Sequence, residues 1–326
     1  MQPKQLSECA AAIHRLLKHA RMTWLLGSLA FMVCDGNSAA CQASDPPLEQ
    51  TANATEVFSL SEISSKLKEL PPSLAQWQGF PVHQLESGGR QAMIVMPKMA
   101  HNIPEGRGKP WVWIGEFPHV LNDFETRMLR EGFAIVYLPT PNQFGLAPAM
   151  KAWEEFYDRL TRDYGFDQQP ALVGISRGGL YVYNWASRHP DKVCCIYGDA
   201  PVCDILSWPA GQPVNAQYKG PGSAPNWKAL KEIAGIASDA EIAKAGLSPI
   251  DQLEPLAKAN IPLLHVYGDA DEVVPWDENT GVLATRYKAL GGEITLIPKP
   301  GVKHHPHGLT DSTPIVEFVK KSWLKQ

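Results

Sequence analysis

Seven short hydrophobic runs constrain this chain more than any other feature: Ala92–Met96, Trp111–Gly115, Phe133–Pro139, Ala171–Ile175, Val193–Tyr197, Pro262–Tyr267 and Glu293–Pro298. Most are continuously apolar rather than alternating, as strands are when both faces of their sheet are covered. Longer stretches with apolar residues at helical spacing lie between them, at Phe124–Arg130, Met150–Tyr164, Gly178–Arg188, Asp277–Leu290 and Pro314–Leu324. Strand followed by helix, repeated, predicts an α/β fold with a mostly parallel central sheet and helices on both faces. The rhythm breaks once. Residues 203–260 contain many Pro and Gly and two short helical patterns, Trp227–Ile236 and Asp239–Ala245, but no strand. They are expected to form a short helical cap inserted between two strands.

The remaining chain divides by composition. Residues 44–89, polar at first and rich in Ser, Glu and Thr, read as a leader into a domain spanning 90–326. Ahead of them, Lys18 and Arg21 precede the apolar run Trp24–Val33, which is too short to cross a bilayer. Small residues follow at Ser38, Ala39, Ala40 and Ala43. A positive flank, a short apolar core and a small-residue exit make residues 1–43 a secretory signal. The run starts late, so Met22 is an alternative start. The chain is therefore expected to be secreted or periplasmic, with no stable membrane anchor. Removing the signal takes Cys9, Cys34 and Cys41 with it and leaves Cys194, Cys195 and Cys203. Export permits a disulfide among these three, and small buried hydrophobes in a core strand are the equal alternative. With 44% hydrophobic and 20% charged residues the composition is globular, and a net charge of −4 argues against the broad basic surface of a nucleic-acid binder.

Chemistry concentrates at three junctions. Gly174-Ile175-Ser176-Arg177-Gly178-Gly179 follows the run Ala171–Ile175 and opens the next helical stretch. A nucleophilic serine needs such a place: a sharp turn lifts its Oγ clear of the sheet, and flanking glycines make room for crowded backbone. After the cap, Pro262–Tyr267 ends in Gly268-Asp269-Ala270-Asp271-Glu272-Val273-Val274-Pro275. A carboxylate at the C-terminal end of a parallel strand reaches the rim where ligands bind in open α/β sheets. The last hydrophobic run is followed by Lys303-His304-His305-Pro306-His307. Chain order is thus Ser, Asp, His, each after its own strand, which is one of the arrangements a catalytic triad takes. Two blander readings compete: Asp269 and Asp271 as turn formers, and the three histidines as metal ligands. No spacing such as HExxH accompanies the histidines, so the triad is the reading adopted over a metal site.

With these junctions in place the chain resembles the α/β-hydrolase fold enzymes over roughly residues 90–324. The match rests on the elbow at Ser176, the GxxDxxVP pattern at Gly268–Pro275 and the late histidine. The runs SRGGLYVYNWA, YGDAPVCDILSWP and HHPHGL resemble a set of secreted bacterial hydrolases. The Ser176-Arg177 pair with Gly179 is similar to the elbow of glucuronoyl esterases, although Leu180 stands where those enzymes carry Lys. The resemblance implies a serine hydrolase with no metal or other cofactor, acting through an acyl-enzyme, on esters more than on peptides. It implies Asp271 as the acid, three residues after Gly268 and three before Val274, with Asp269 fixing the turn. It implies His304 as the base, from Gly301-Val302-Lys303-His304 set against the usual Gly-x-Gly-His, with His305 and His307 as lesser candidates. Oxyanion donors are then expected at the backbone N–H of Arg177 and of Glu116 or Phe117, Pro118 having none. The Arg177 side chain is expected either to assist the oxyanion, as the glucuronoyl esterases suggest, or to pair with a neighbouring acid.

The substrate expectation follows from aromatic residues. Trp208 near the start of the cap, Trp276 after Asp271 and Phe117 beside the oxyanion loop are expected to converge over Ser176 and bind a small or carbohydrate ester. The alternatives are a serine peptidase of prolyl-oligopeptidase type lacking a propeller, and a catalytically inactive binding module.

Overall fold

The computed structural model describes residues 75–99 and 103–325; the signal segment and most of the leader lie outside them. Each of the seven hydrophobic runs overlaps a strand: β3 (Arg90–Val95), β4 (Trp111–Ile114), β5 (Ala134–Tyr137), β6 (Ala171–Ile175), β7 (Cys195–Asp199), β8 (Leu263–Gly268) and β9 (Ile294–Lys299). Two more precede them, β1 (Gln76–Trp77) and β2 (Phe80–Ser87). The sheet order is β1-β2-β3-β5-β4-β6-β7-β8-β9. From β5 through β9 all neighbours are parallel, whereas β1, β2 and β3 join by antiparallel pairing.

The start at residue 90 is therefore corrected: β2 pairs along its length with β3, from Val82 opposite Val95 to Ser87 opposite Arg90. Its sequence hides this because Pro81 and polar Gln84 and Glu86 interrupt the apolar run. Pro is tolerated near a sheet edge, where its missing N–H costs no ladder bond. Gly88 and Gly89 close the hairpin with φ of 55° and 74°, the left-handed pair that a two-residue turn between twisted strands requires.

Helices cover both faces, as the apolar runs predict. On one face lie α1 (Asn122–Arg130) and the C-terminal helix α8 (Thr313–Leu324), whose Phe124, Met128, Ile315 and Val319 pack with Val112, Ile114, Val173 and Ile175 of the sheet. On the other lie α2 (Ala147–Tyr164), α3 (Gly178–Arg188) and α7 (Thr280–Ala289). Here Trp113 of β4 stacks on Trp153 of α2 at 4.0 Å and meets Trp185 of α3 edge-on at 5.2 Å. Such ring pairs contribute about 0.5–1.5 kcal/mol each beyond the area they bury. The cap between β7 and β8 holds α4 (Ala224–Ala234), α5 (Asp239–Ile242) and α6 (Glu254–Lys258), and its Trp227, Leu230, Ile242 and Leu256 join the same core. Among the described residues no helix is long and apolar enough to cross a membrane.

The cysteine alternatives resolve toward burial. All three thiols are free and buried. Cys194 and Cys195 belong to the core on the α1 and α8 side and Cys203 to the core under the cap, so the sheet separates Cys203 from the other two. Burial pushes the Cys203 thiol well above its ordinary pKa.

Candidate active site

The turn from β6 into α3 holds Ser176 at φ 49°, the left-handed region that a residue with a side chain rarely occupies. Backbone bonds on every side hold it there. The Ser176 N–H donates to Asp199 O at 2.9 Å, and Ser176 O accepts from the Gly179 N–H at 3.0 Å and the Val202 N–H at 2.8 Å. The two outer glycines are explained by crowding. A Cβ at Gly174 would lie 2.7 Å from Val182 Cγ2, and one at Gly179 would lie 2.6 Å from Val202 O. Alanine at Gly174 would press on α3, and alanine at Gly179 would press on the Pro201–Val202 segment after β7.

From this turn Ser176 Oγ lies 2.9 Å from His304 Nε2, and His304 Nδ1 lies 2.7 Å from Asp271 Oδ2. Asp271 Oδ1 accepts from the backbone N–H groups of Val273 and Val274, each at 2.9 Å. An ionised carboxylate with these donors accepts only, so the proton between it and His304 sits on Nδ1 and leaves the Nε2 lone pair facing the serine. Asp271 and His304 are buried, which keeps water from competing for these bonds. Asp269 does something else: it is exposed, and its Oδ1 accepts from the Gly301 N–H at 2.6 Å, fixing the turn.

His307 belongs to a different pair. Its Nδ1 lies 2.7 Å from Asp199 Oδ1, while Asp199 Oδ2 accepts from the Tyr197 hydroxyl at 2.6 Å and the Gly308 N–H at 2.9 Å. His305 completes a triangle with the two imidazoles, 5.0 Å from His304 and 4.7 Å from His307 by ring centroids, with those two 5.0 Å apart. Burial, then the neighbouring His307 and His304, lower its pKa.

The loop after β4 carries Glu116 and Phe117 to the same rim. Among the described residues none of the Arg177, Glu116 and Phe117 N–H groups donates to a protein acceptor, so both donors expected on this loop stay available. The Glu116 side chain has a role that sequence reasoning missed. Arg177 donates from Nε to Glu116 Oε2 at 2.7 Å and from Nη2 to Oε1 at 2.5 Å, and its Nη1 reaches Asn142 Oδ1 at 3.1 Å and Asn226 Oδ1 at 3.2 Å. Of the two roles expected for the Arg177 side chain, pairing with an acid is the one in place. Burial pushes the Glu116 carboxyl up, against the lowering effect of Arg177. Burial likewise opposes the charge on Arg177, but the bonds and charge of Glu116 outweigh it and its pKa rises. Two bonds this short describe an ionised fork.

The aromatic residues converge only in part. Phe117 and Phe144 both lie beside the Arg177 guanidinium, at 5.7 and 5.6 Å, and Trp208 lies 6.4 Å from Phe144. Trp276 stacks on Tyr267 of β8 at 5.1 Å and lies against Gly281, and no ring contact joins it to the others among the described residues. Phe144, buried beneath Arg177 and Trp208, was passed over by sequence reasoning along with Asn142. Both follow β5, and that position, after the C-terminal end of a strand beside β4, was the signal available.

No protein-family model matches the sequence, and the search of curated proteins finds no relative. The solved structures are more informative. A puromycin-hydrolysing peptidase of Mycobacterium tuberculosis superposes over 78% of this chain with a TM-score of 0.56 and 18% identity. Dipeptidyl peptidase 4 of Porphyromonas gingivalis does so over 76%, at 0.53 and 15%. An acylaminoacyl peptidase of Pyrococcus horikoshii does so over 81%, at 0.51 and 17%. The chain has the α/β-hydrolase fold. It spans only 40%, 35% and 42% of those three chains respectively. Within this fold the elbow, the acid and the histidine each follow the C-terminal end of their own parallel strand, which is why residues so distant in sequence meet.

Proposed function

We propose that this chain is a serine hydrolase that forms an acyl-enzyme on Ser176. The observation that carries the reading is the unbroken chain Ser176–His304–Asp271 at 2.9 and 2.7 Å. Ser176 Oγ attacks the acyl carbonyl as His304 Nε2 takes its proton, and Asp271 stabilises the imidazolium. The carbonyl oxygen gains negative charge beside the N–H groups of Arg177 and of Glu116 or Phe117, and the Glu116–Arg177 fork holds the two loops that carry them. His304 then protonates the leaving group. Water, deprotonated by the same imidazole, releases the acid and restores Ser176.

Peptides are the acyl substrates that the comparisons favour, since the three structures reported above are peptidases by description. The ester reading stands second, on a specific observation: the exposed Phe117 lies beside Arg177, and the half-buried Trp208 packs on the buried Phe144 next to it, flat apolar rings suited to a sugar or a short acyl ester. An exported location accompanies both proposals.

A fluorophosphonate probe should label the wild type and leave Ser176→Ala unlabelled, with turnover down on the order of 10⁶-fold. His304→Ala should behave like Ser176→Ala. Full activity in either variant would overturn the assignment. Aminoacyl p-nitroanilides and p-nitrophenyl esters of the same acyl group then separate the substrate classes. Anilide cleavage supports the peptidase reading, and ester cleavage without it supports the second.

A further inference from the structure

The loop after β9 holds more imidazole than a triad uses. One ring nitrogen from each of His304, His305 and His307 lies within 4.8 Å of the others. The three ring planes meet at 76°, 83° and 84°, so none stacks on another. Two of the three rings are held by buried carboxylates through Nδ1, His304 by Asp271 and His307 by Asp199. Each therefore keeps its proton on Nδ1 and has a lone pair at Nε2. A carboxylate behind an imidazole is the support that metal-binding histidines ordinarily receive, because it fixes the tautomer and raises the basicity of the ligating nitrogen. His305 is exposed and free to turn.

We propose that His304, His305 and His307 form a binding site for a divalent transition metal such as Zn²⁺, and that the bound metal reversibly blocks the hydrolase. Nitrogens bound to Zn²⁺ at 2.0–2.1 Å in a tetrahedral site stand about 3.4 Å apart. Reaching that spacing from 4.8 Å needs shifts on the order of 1 Å, which the exposed His305 and a small swing of His304 supply. The inhibition follows from electron pairs, and it rests on the function proposed above. The His304 Nε2 lone pair that would accept the Ser176 proton is the one the metal takes, so Ser176 keeps its proton and loses its base. Three neutral nitrogens favour Zn²⁺, Cu²⁺ or Ni²⁺ and leave Mg²⁺ and Ca²⁺, which prefer oxygen, without effect.

The experiment has two independent arms. In the first, Co²⁺ is titrated into the Ser176→Ala protein, which lacks the nucleophile but retains the three rings. One ion per chain should bind with the visible bands of a four-coordinate nitrogen site, and adding His305→Ala should weaken binding at least about tenfold. In the second, fluorophosphonate labelling is followed as Zn²⁺ is added. The wild type should slow and recover with a chelator, while His305→Ala should label at the wild-type rate without zinc and resist zinc at least about tenfold better. Unchanged Co²⁺ affinity in the His305→Ala background would overturn the site, and stoichiometric zinc that leaves labelling undiminished would overturn the block. A wild type that never labels would instead remove the serine-hydrolase reading, with the cobalt arm still deciding the metal site.

Discussion

Just before β4 and β6, Arg107 donates to both oxygens of Asp167 at 2.6 and 3.1 Å; just after the same two strands, Arg177 donates to both oxygens of Glu116 at 2.7 and 2.5 Å. The two forks are equally buried, with side-chain exposures of 18% and 3% at one end and 15% and 6% at the other. Their surroundings differ. Arg107 lies 4.8 Å from the Trp323 ring and donates to Trp323 O at 3.1 Å, so it fastens the C-terminal helix to the chain entering the sheet. Arg177 meets side chains from the β5 loop and the cap. A cleft of about 650 Å³ opens beside Arg107, bounded by Phe166, Gln168 and Asp191, and its lining contains no serine–histidine pair. Neither a buried ion pair nor a cavity marks a reactive site. What separates the ends is that the elbow, acid and histidine loops all leave from one of them.

Several substitutions would break or sharpen that contrast. The largest effect belongs to Asp271→Asn, which should lower kcat about 10⁴-fold by upsetting the His304 tautomer, while Asp269→Asn should cost far less. Steady-state assays of the pair check this, and the reverse ranking would exchange their roles. At the other end Arg107→Ala strands a buried carboxylate, and urea unfolding should register a loss of about 3–5 kcal/mol. The protein that stays folded should keep its kcat. A kcat that fell in proportion would show the two ends to be coupled.

His265, in the middle of β8, belongs to neither end. It is fully buried between the Tyr183 hydroxyl at 2.6 Å and Thr280 Oγ1 at 3.0 Å, and burial lowers its pKa to about 3. In the unfolded chain it binds a proton near pH 6.5. The stability it contributes is therefore complete above that pH and is lost as pH falls toward 3, by about 2–3 kcal/mol between pH 6.5 and 4.5. His265→Gln should flatten the acid limb of a stability-against-pH curve, and an unchanged slope would locate the acid sensitivity elsewhere. The smallest effect is expected from Glu116→Gln. One bond to Arg177 survives, so stability should fall by only about 1–2 kcal/mol. Loosening both oxyanion loops should lower kcat about tenfold, and Arg177→Lys should not rescue it because lysine has no fork.

The central strands were legible because each is buried on both faces, and such burial writes a continuous apolar run. β2 was not, since it alternates and contains Pro81, although Gly88-Gly89 announced its hairpin. The positions of Ser176 and Asp271 could be read from local pattern, a glycine-spaced turn and a fixed count from Gly268. His304 could be separated from His305 and His307 only by the family pattern, because three adjacent imidazoles look alike until Asp271 and Asp199 each claim one. The Glu116 fork was illegible for a similar reason. A carboxylate and a guanidinium 61 positions apart leave no periodic trace, and only the parallel pairing of β4 with β6 brings them side by side.

Asp199 binds the nucleophile's backbone through its own carbonyl and the histidine loop through its side chain. Ser176 and His304 are thus surveyed from a single benchmark at the tip of β7. Thermal drift of that tip carries both in the same direction and leaves the gap between them nearly constant. A protein engineer could exchange residues 204–260 for another roof, retuning what enters, while the spacing that decides whether a proton can hop stays anchored at Asp199, ahead of the graft.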